Sequence, residues 1–341
     1  MLYRELAERA RGKTVAWCKA CPVCDGRACG AHVPGPGAKG TGTVAVRNYQ
    51  AWEEWRVNLD TIRPYAEADT SLELFGRTLS LPVMVGPVGD VRRHYGELFD
   101  DVSYNRCVLS AAAAQGTVAW TGDGLEGSIV ANATQVIASL GGCGVETIKP
   151  WAMDVVRERV GVALGAHPLA IAMDIDAAGL PFLKGQNPPA GSKTVDQLAE
   201  VAEQCHEAGT PFVLKGIMTA RGALKALDAG ADAIVVSNHG GRVLDGVPAT
   251  AEVLPGIAEA VAGRMSVLVD GGIRSGVDVF RALALGADAA LVCRPVVVAA
   301  HGGGQQGVED YLAQLGSELA DTMEMCGAAT LADVGRGMLF S

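Results

Sequence analysis

Ser237-Asn238-His239-Gly240-Gly241-Arg242 follows directly on the apolar run Ala231–Val236, so an imidazole and a guanidinium stand three residues apart at what reads as the end of a buried parallel strand. His239 titrates near neutral pH and can act as a base. Arg242 can hold a carboxylate or phosphate in a two-pronged grip. Gly240 and Gly241 carry no side chain and let backbone approach a ligand closely.

The elements that must position these groups recur along the chain. Short apolar runs lie at Pro82–Gly86, Thr117–Trp120, Glu146–Lys149, Leu169–Asp174, Pro211–Lys215, Ala233–Val236, Ser266–Val269 and Ala289–Cys293. Helical patterns such as Ala220–Ala229, Ala249–Val261 and Val277–Leu285 alternate with them. Eight β/α units predict an α/β chain folded as a (β/α)8 TIM barrel; a doubly wound open sheet is the alternative, and it normally carries its phosphate-binding glycines after the first strand rather than the last. Active-site groups of such barrels lie at the C-terminal strand ends, here Pro87, Thr121, Lys149, Asp174, Lys215, His239, Asp270 and Arg294. Asp174 and Lys215 taken alone read equally well as a structural ion pair; a whole ring of polar strand ends points to a site. Val269-Asp270-Gly271-Gly272-Ile273-Arg274-Ser275-Gly276 and Cys293-Arg294-Pro295 end the seventh and eighth strands, where barrels bind phosphate, with Arg274 and Arg294 as countercharge.

Residues 1–70 read as a cap and 71–341 as the barrel, with a helix expected over Tyr49–Leu59. The cap carries Cys18-x2-Cys21-x2-Cys24-x4-Cys29, a spacing open to zinc, to an iron–sulfur cluster, to a redox pair or to four free thiols. Cys107, Cys143, Cys205, Cys293 and Cys326 are scattered and read as buried apolar residues, and His32, His94, His167, His206 and His301 as surface or loop residues. A net charge of −10 argues against a nucleic-acid partner. No apolar run reaches membrane-spanning length, and Met1–Trp17 is too charged for a signal core, so a cytoplasmic location is expected.

Ser237–Asp245, Leu214-Lys215-Gly216-Ile217-Met218-Thr219, Val269–Val279 and Ala284–Asp288 together resemble the FMN-dependent α-hydroxy-acid oxidases and dehydrogenases, a group that includes glycolate oxidase, lactate oxidase and mandelate dehydrogenase. The resemblance implies FMN as cofactor, with its phosphate near Gly272, Arg274, Cys293 and Arg294 and its ring near Lys215, Pro87, Val88, Gly89 and Ser237. Thr121, Lys149, Gly240, Asp270 and Gly271 complete the implied cofactor set. It also implies His239 as base, Asp174 as its carboxylate partner, Lys215 as the cation that stabilises reduced flavin, and Arg242 as the substrate-carboxylate clamp. A homo-oligomer is implied as well.

Several positions depart from the family pattern. No tyrosine stands in residues 31–41, Lys149-Pro150-Trp151 replaces Gln-x-Tyr, and Thr121-Gly122-Asp123-Gly124 replaces a serine-containing segment. The loop after the fourth strand has Lys184 as its one cation, so Lys149 is the remaining candidate contact for an anionic substrate, and Asp123 would disfavour an anion beside it. The leading expectation is an FMN oxidoreductase acting on a small 2-hydroxy acid or related alcohol, with an unidentified electron acceptor. The alternatives are an FMN isomerase of the type 2 isopentenyl diphosphate kind and a non-catalytic flavin- or metal-binding protein.

Overall fold

Eight apolar runs become the parallel strands β1 (Val83–Val85), β2 (Trp120–Thr121), β3 (Val145–Ile148), β4 (Ala170–Asp174), β5 (Phe212–Ile217), β6 (Ala233–Val236), β7 (Ser266–Val269) and β8 (Ala289–Val292). A computed structural model describes residues 1–340 of the chain. The strands pair in the order β1-β8-β7-β6-β5-β4-β3-β2. The ring closes through a parallel bridge between Val85 and Ala119, and the Val85 N–H donates to the Val118 carbonyl at 3.0 Å. This is the (β/α)8 barrel, and the open-sheet alternative falls.

Strand periodicity sorts the core into two regions. Met84, Trp120, Val145, Ala172, Val213, Val235, Leu268 and Leu291 fill the barrel interior. Their neighbours Val83, Ile148, Met173, Leu214, Ile234, Val267 and Val292 face outward and pack under the helices. The interior is stoppered at its N-terminal end by a hairpin, Leu72–Leu74 with Arg77–Leu79, whose Leu74 and Leu79 join the inner cluster.

The helices are α1 (Tyr3–Ala10), α2 (Thr43–Glu53), α3 (Val91–Tyr95), α4 (Asp101–Ala114), α5 (Gly127–Ser139), α6 (Met153–Leu164), α7 (Val195–Glu207), α8 (Ala220–Asp228), α9 (Thr250–Val261), α10 (Gly276–Ala284) and α11 (Arg294–Cys326), the last interrupted at Gly304. The cap helix therefore lies at Thr43–Glu53 rather than Tyr49–Leu59, because Gly42 in the left-handed region starts it early; residues 56–57 instead pair as a short strand with residues 339–340. α1 packs its buried Tyr3, Leu6, Ala7 and Ala10 into the same core as α11. α10 starts from a reciprocal cap: Ser275 Oγ accepts from Asp278 N (3.2 Å), and Asp278 Oδ2 accepts from Ser275 N (3.1 Å) and Arg274 N (3.0 Å). No helix among the described residues is long and apolar enough to cross a membrane.

Candidate active site

The alternation that buries Ala170 and Ala172 inside β4 sends Asp174 inward one layer higher, at the C-terminal mouth. The same parity brings in Lys215 after Val213, Ser237 after Val235, Asp270 after Leu268, Cys293 after Leu291, and Thr147 and Lys149 after Val145. These ends surround a cleft open to solvent, with about 980 Å3 of empty space including its mouth. Pro87, Val88, Gly89, Lys149, Asp174, Lys215, His239, Gly240, Arg242, Asp270, Gly271, Gly272, Arg274, Cys293 and Arg294 all line it. Thr121 does not. Trp120 points into the barrel, so Thr121 points out and its buried Oγ1 has no partner, while Gly122 takes the inward place. Ser237 sits just behind the wall, where its Oγ accepts from Lys215 Nζ (3.1 Å) and from His239 N (3.1 Å).

Lys215 is the centre of a buried charge network. Its ammonium lies 3.2 Å from Asp174 Oδ1 and 3.3 Å from Asp270 Oδ2. Burial works against its charge, but Asp174 and Asp270 outweigh burial and raise its pKa well above the ordinary lysine value. Burial likewise opposes ionisation of Asp174, yet His239, Lys215 and Lys149 hold that carboxyl below the usual range. An ammonium flanked by two carboxylates is a fixed, permanently protonated cation.

His239 has a partner that sequence reasoning missed. Its Nδ1 lies 2.9 Å from Asp176 Oδ1 and 3.5 Å from Asp174 Oδ1. Asp176 comes from the 3-10 turn Ile175–Gly179 that follows β4. Burial raises its pKa above the usual carboxylate value against the pull of His239, and its Oδ2 has no partner. Room for Asp176 is made by Gly216, which lies in a β-bulge of β5 at φ +104°; a Cβ there would meet Asp176 Cγ at 2.6 Å.

Arg242 is held by the cap. Its Nη1 donates to the Gly35 carbonyl, with the Gly37 carbonyl at 3.5 Å, which leaves Nε and Nη2 free of hydrogen-bond partners among the described residues. Burial lowers its pKa to about 10, so it stays charged at neutral pH. The glycines beside it make room for protein rather than ligand. A Cβ on Gly241 would meet Ala38 (2.9 Å) and Val44 (2.8 Å), one on Gly240 would meet Arg294 Nη2 (2.6 Å), and one on Gly272 would overlap the Asn48 backbone. Asn48 of α2 also exchanges two amide hydrogen bonds with Asn238, at 2.7 and 2.8 Å, and so pins the cap onto the His239 loop.

Asp123 does not repel an anion as the sequence suggests, because its charge is neutralised locally. Oδ1 accepts from Arg159 Nη1 (2.5 Å) and Gly124 N (2.7 Å); Oδ2 accepts from Trp151 Nε1 (2.7 Å) and Lys149 N (2.9 Å). The clamp leaves the Lys149 ammonium in the cavity with no hydrogen-bond partner among the described residues. Lys184 is exposed and lines no part of the cavity; Leu180 and Phe182 from its loop do.

His94 and His301 are buried, not superficial. His94 lines the cavity against Phe182 (ring centroids 5.3 Å apart), and its Nδ1 accepts from Gly35 N at 3.0 Å. Burial, reinforced by Arg242 and Lys149, drives its pKa down to about 2, so it is neutral. Its neighbour Tyr95 also lines the cavity. Neither has a sequence signal beyond its place after the first strand.

Arg274 and Arg294 face the cavity while anchoring backbone. Arg274 donates to the Cys24 and Ile273 carbonyls, both at 2.6 Å, and Arg294 Nη2 to the Gly240 carbonyl at 2.6 Å. The four cap cysteines lie outside this cavity and line a second one.

Comparison with known proteins agrees with this geometry. The chain matches the model of the FMN-dependent dehydrogenase family over residues 35–140 and 163–341, which leaves the cysteine segment outside the match. It is 35% identical over 325 residues to a 4-hydroxymandelate oxidase of Amycolatopsis orientalis, covering 86% of this chain and 89% of that protein. It is 47% identical over 146 residues to an L-lactate oxidase of a Roseobacter species, covering 43% of this chain and 39% of that protein. Among solved structures, a mandelate oxidase variant carrying an FMN monooxide adduct superposes with a TM-score of 0.74 at 34% identity, covering 90% of this chain and 93% of that one. A barrel with this ring of polar strand ends and this span of matched sequence belongs to the FMN-dependent dehydrogenase family, an enzyme family of hydroxy-acid oxidases and dehydrogenases.

Proposed function

We propose that this chain oxidises a 2-hydroxy acid with an apolar side chain, using FMN held in the barrel mouth and His239 as base. The observation that carries the reading is the placement of His239, Arg242 and Lys215 on one cavity, with His239 backed by Asp176.

The residues present fit FMN. Asp270 Oδ1 and Thr147 Oγ1 are buried on inward strand positions without hydrogen-bond partners, an arrangement rare in proteins unless a ligand supplies the missing partner. Arg274, Arg294 and the Gly271-Gly272 turn beside the start of α10 would hold the phosphate. Pro87, Val88, Gly89 and Lys149 would line the ring, with Lys215 as the cation beside it and Ser237 fixing Lys215. FMN, when bound, supplies the two-electron acceptor that no side chain can provide.

The remaining roles fall to side chains. Arg242 offers its free Nε and Nη2 edge to the substrate carboxylate, and Lys149 adds a second positive charge. With Nδ1 of His239 turned to the carboxylates, Nε2 is the nitrogen left to take the substrate proton, and Asp176 balances the imidazolium that results. Leu180, Phe182 and neutral His94 give the substrate end an apolar wall, which supports an apolar or aromatic substituent on the hydroxy acid.

Anaerobic photometric titration of the flavoprotein with a panel of 2-hydroxy acids tests the reading. Bleaching of the flavin band by a member with an apolar side chain supports it. A flavin that no 2-hydroxy acid bleaches rejects it.

A further inference from the structure

The cap cysteines share a site of their own. Cys18, Cys21, Cys24 and Cys29 all line a second hollow that opens to solvent, and none is in a disulfide. The other ionisable side chains on its wall are the cations Lys19 and Arg294, together with Tyr95. Cys29 Sγ donates to the Gly26 carbonyl at 3.5 Å, and the Ala20 backbone and Thr14 hydroxyl lie against the Cys18 thiol. Four thiols share one hollow with Lys19 and Arg294 on its wall, and Asp25 lies near Cys21.

We propose that Cys18, Cys21, Cys24 and Cys29 ligate one four-iron, four-sulfur cluster. The nuclearity follows from spacing in sequence and in space. Two successive Cys-x2-Cys steps form the run that supplies thiolates to such clusters. A single zinc ion holds its sulfurs at about 2.3 Å and so within roughly 4 Å of one another. No three of these sulfurs lie within 4.8 Å of each other. In a cubane each thiolate binds a different iron at a separate corner, so its sulfurs stand farther apart than those around one zinc ion. The cluster with its four thiolates is anionic, and Lys19 and Arg294 provide the opposing charge.

The loop is anchored to receive it. The Cys24 carbonyl accepts from Arg274 Nε at 2.6 Å, and Gly26, at φ +87°, packs against α2 where a Cβ would meet Ala45 Cβ at 2.9 Å. Tyr95 and Arg294 line both cavities, so the cluster would lie against the partition that separates it from the flavin cavity. The assignment stands or falls independently of the hydroxy-acid reading.

The test is elemental. Full-length protein purified without oxygen from iron-supplemented cells is expected to carry about four iron and about four acid-labile sulfide per chain, with an electron paramagnetic resonance signal after dithionite reduction. Joint replacement Cys21→Ser and Cys24→Ser is expected to remove iron and sulfide while FMN stays bound; Cys143→Ser, outside the cavity, is expected to remove neither. One equivalent of zinc without sulfide overturns the assignment. So does protein that, after anaerobic incubation with sulfide and equal amounts of ferric and ferrous iron, still shows all four thiols open to titration. If the double variant does not fold, the wild-type iron and sulfide content decides alone.

Discussion

His239 Nδ1 and Asp176 Oδ1 lie 2.9 Å apart, although Asp176 stands two residues beyond the carboxylate that the sequence pairs with this histidine. Asp174 is 3.5 Å from the same nitrogen and 3.2 Å from Lys215. The two carboxylates take different partners: Asp176 holds His239 Nδ1, and Asp174 lies nearer the lysine than the histidine. Asp176→Asn is therefore expected to lower the rate of flavin reduction about tenfold, with KM and FMN content little changed. A silent Asp176→Asn beside a crippled Asp174→Asn in stopped-flow reduction would return the role to Asp174.

Replacing the proposed base is expected to cost more. His239→Ala is expected to keep FMN and to slow flavin reduction by roughly 10²-fold or more, the scale of lost general-base catalysis. Reduction at the wild-type rate with the true substrate rules out His239 as base.

Arg242→Lys keeps the charge and loses the planar fork. KM for the hydroxy acid is expected to rise about tenfold, worth about 1.4 kcal/mol, with a smaller effect on kcat. Steady-state kinetics that show an unchanged KM would place the substrate carboxylate elsewhere.

Asp123 and Arg159 form an ion pair whose side chains are 0% and 8% exposed. Removing one partner strands the other charge in the interior. Asp123→Ala is expected to destabilise the fold by about 3–5 kcal/mol in denaturant unfolding. A loss below about 1 kcal/mol would mean that solvent reaches Arg159 and that the clamp is not structural.

Glu146 faces outward from β3 into the strand–helix layer, where the Thr134 hydroxyl donates to its carboxylate at 3.0 Å. Burial raises its pKa to about 8 against that hydrogen bond. The folded state therefore binds a proton that the unfolded state has released, and Glu146 costs stability as pH rises from the unfolded value near 4.3 to about 8. Glu146→Gln is expected to flatten that slope and to gain on the order of a few kcal/mol at pH 9 relative to pH 5. Parallel wild-type and variant stability curves across this range would show that Glu146 ionises freely.

Periodicity made most of the barrel legible. Ala233–Val236 and Ser266–Val269 are strands over the residues read from apolar pattern alone, five others differ by one or two residues at their ends, and β2 (Trp120–Thr121) shares only Trp120 with the run Thr117–Trp120. The polar ring was legible for the same reason, since a strand end after an apolar run is visible in one dimension. Parity was available too: Val118 and Trp120 inward imply Thr121 outward, a distinction lost when strand ends are taken without regard to face. Asp176, Tyr95 and His94 were not legible, because a 3-10 turn and a loop helix bring them to the cavity and nothing in their spacing foretells it. Asp123 was misread because its neutralising partner, Arg159, is 36 residues away.

Gly216 also sets the order in which this site can change. A side chain at 216 and a carboxylate at 176 contend for one volume, so a lineage can acquire an aspartate at 176 only while glycine stands at 216, and can lose the glycine only after the aspartate has gone. The bulge in β5 thus acts as a ratchet on mutational paths. Gly216→Ala is expected to destabilise the present background and to cost less beside a smaller residue at 176, where the left-handed backbone still keeps the step uphill.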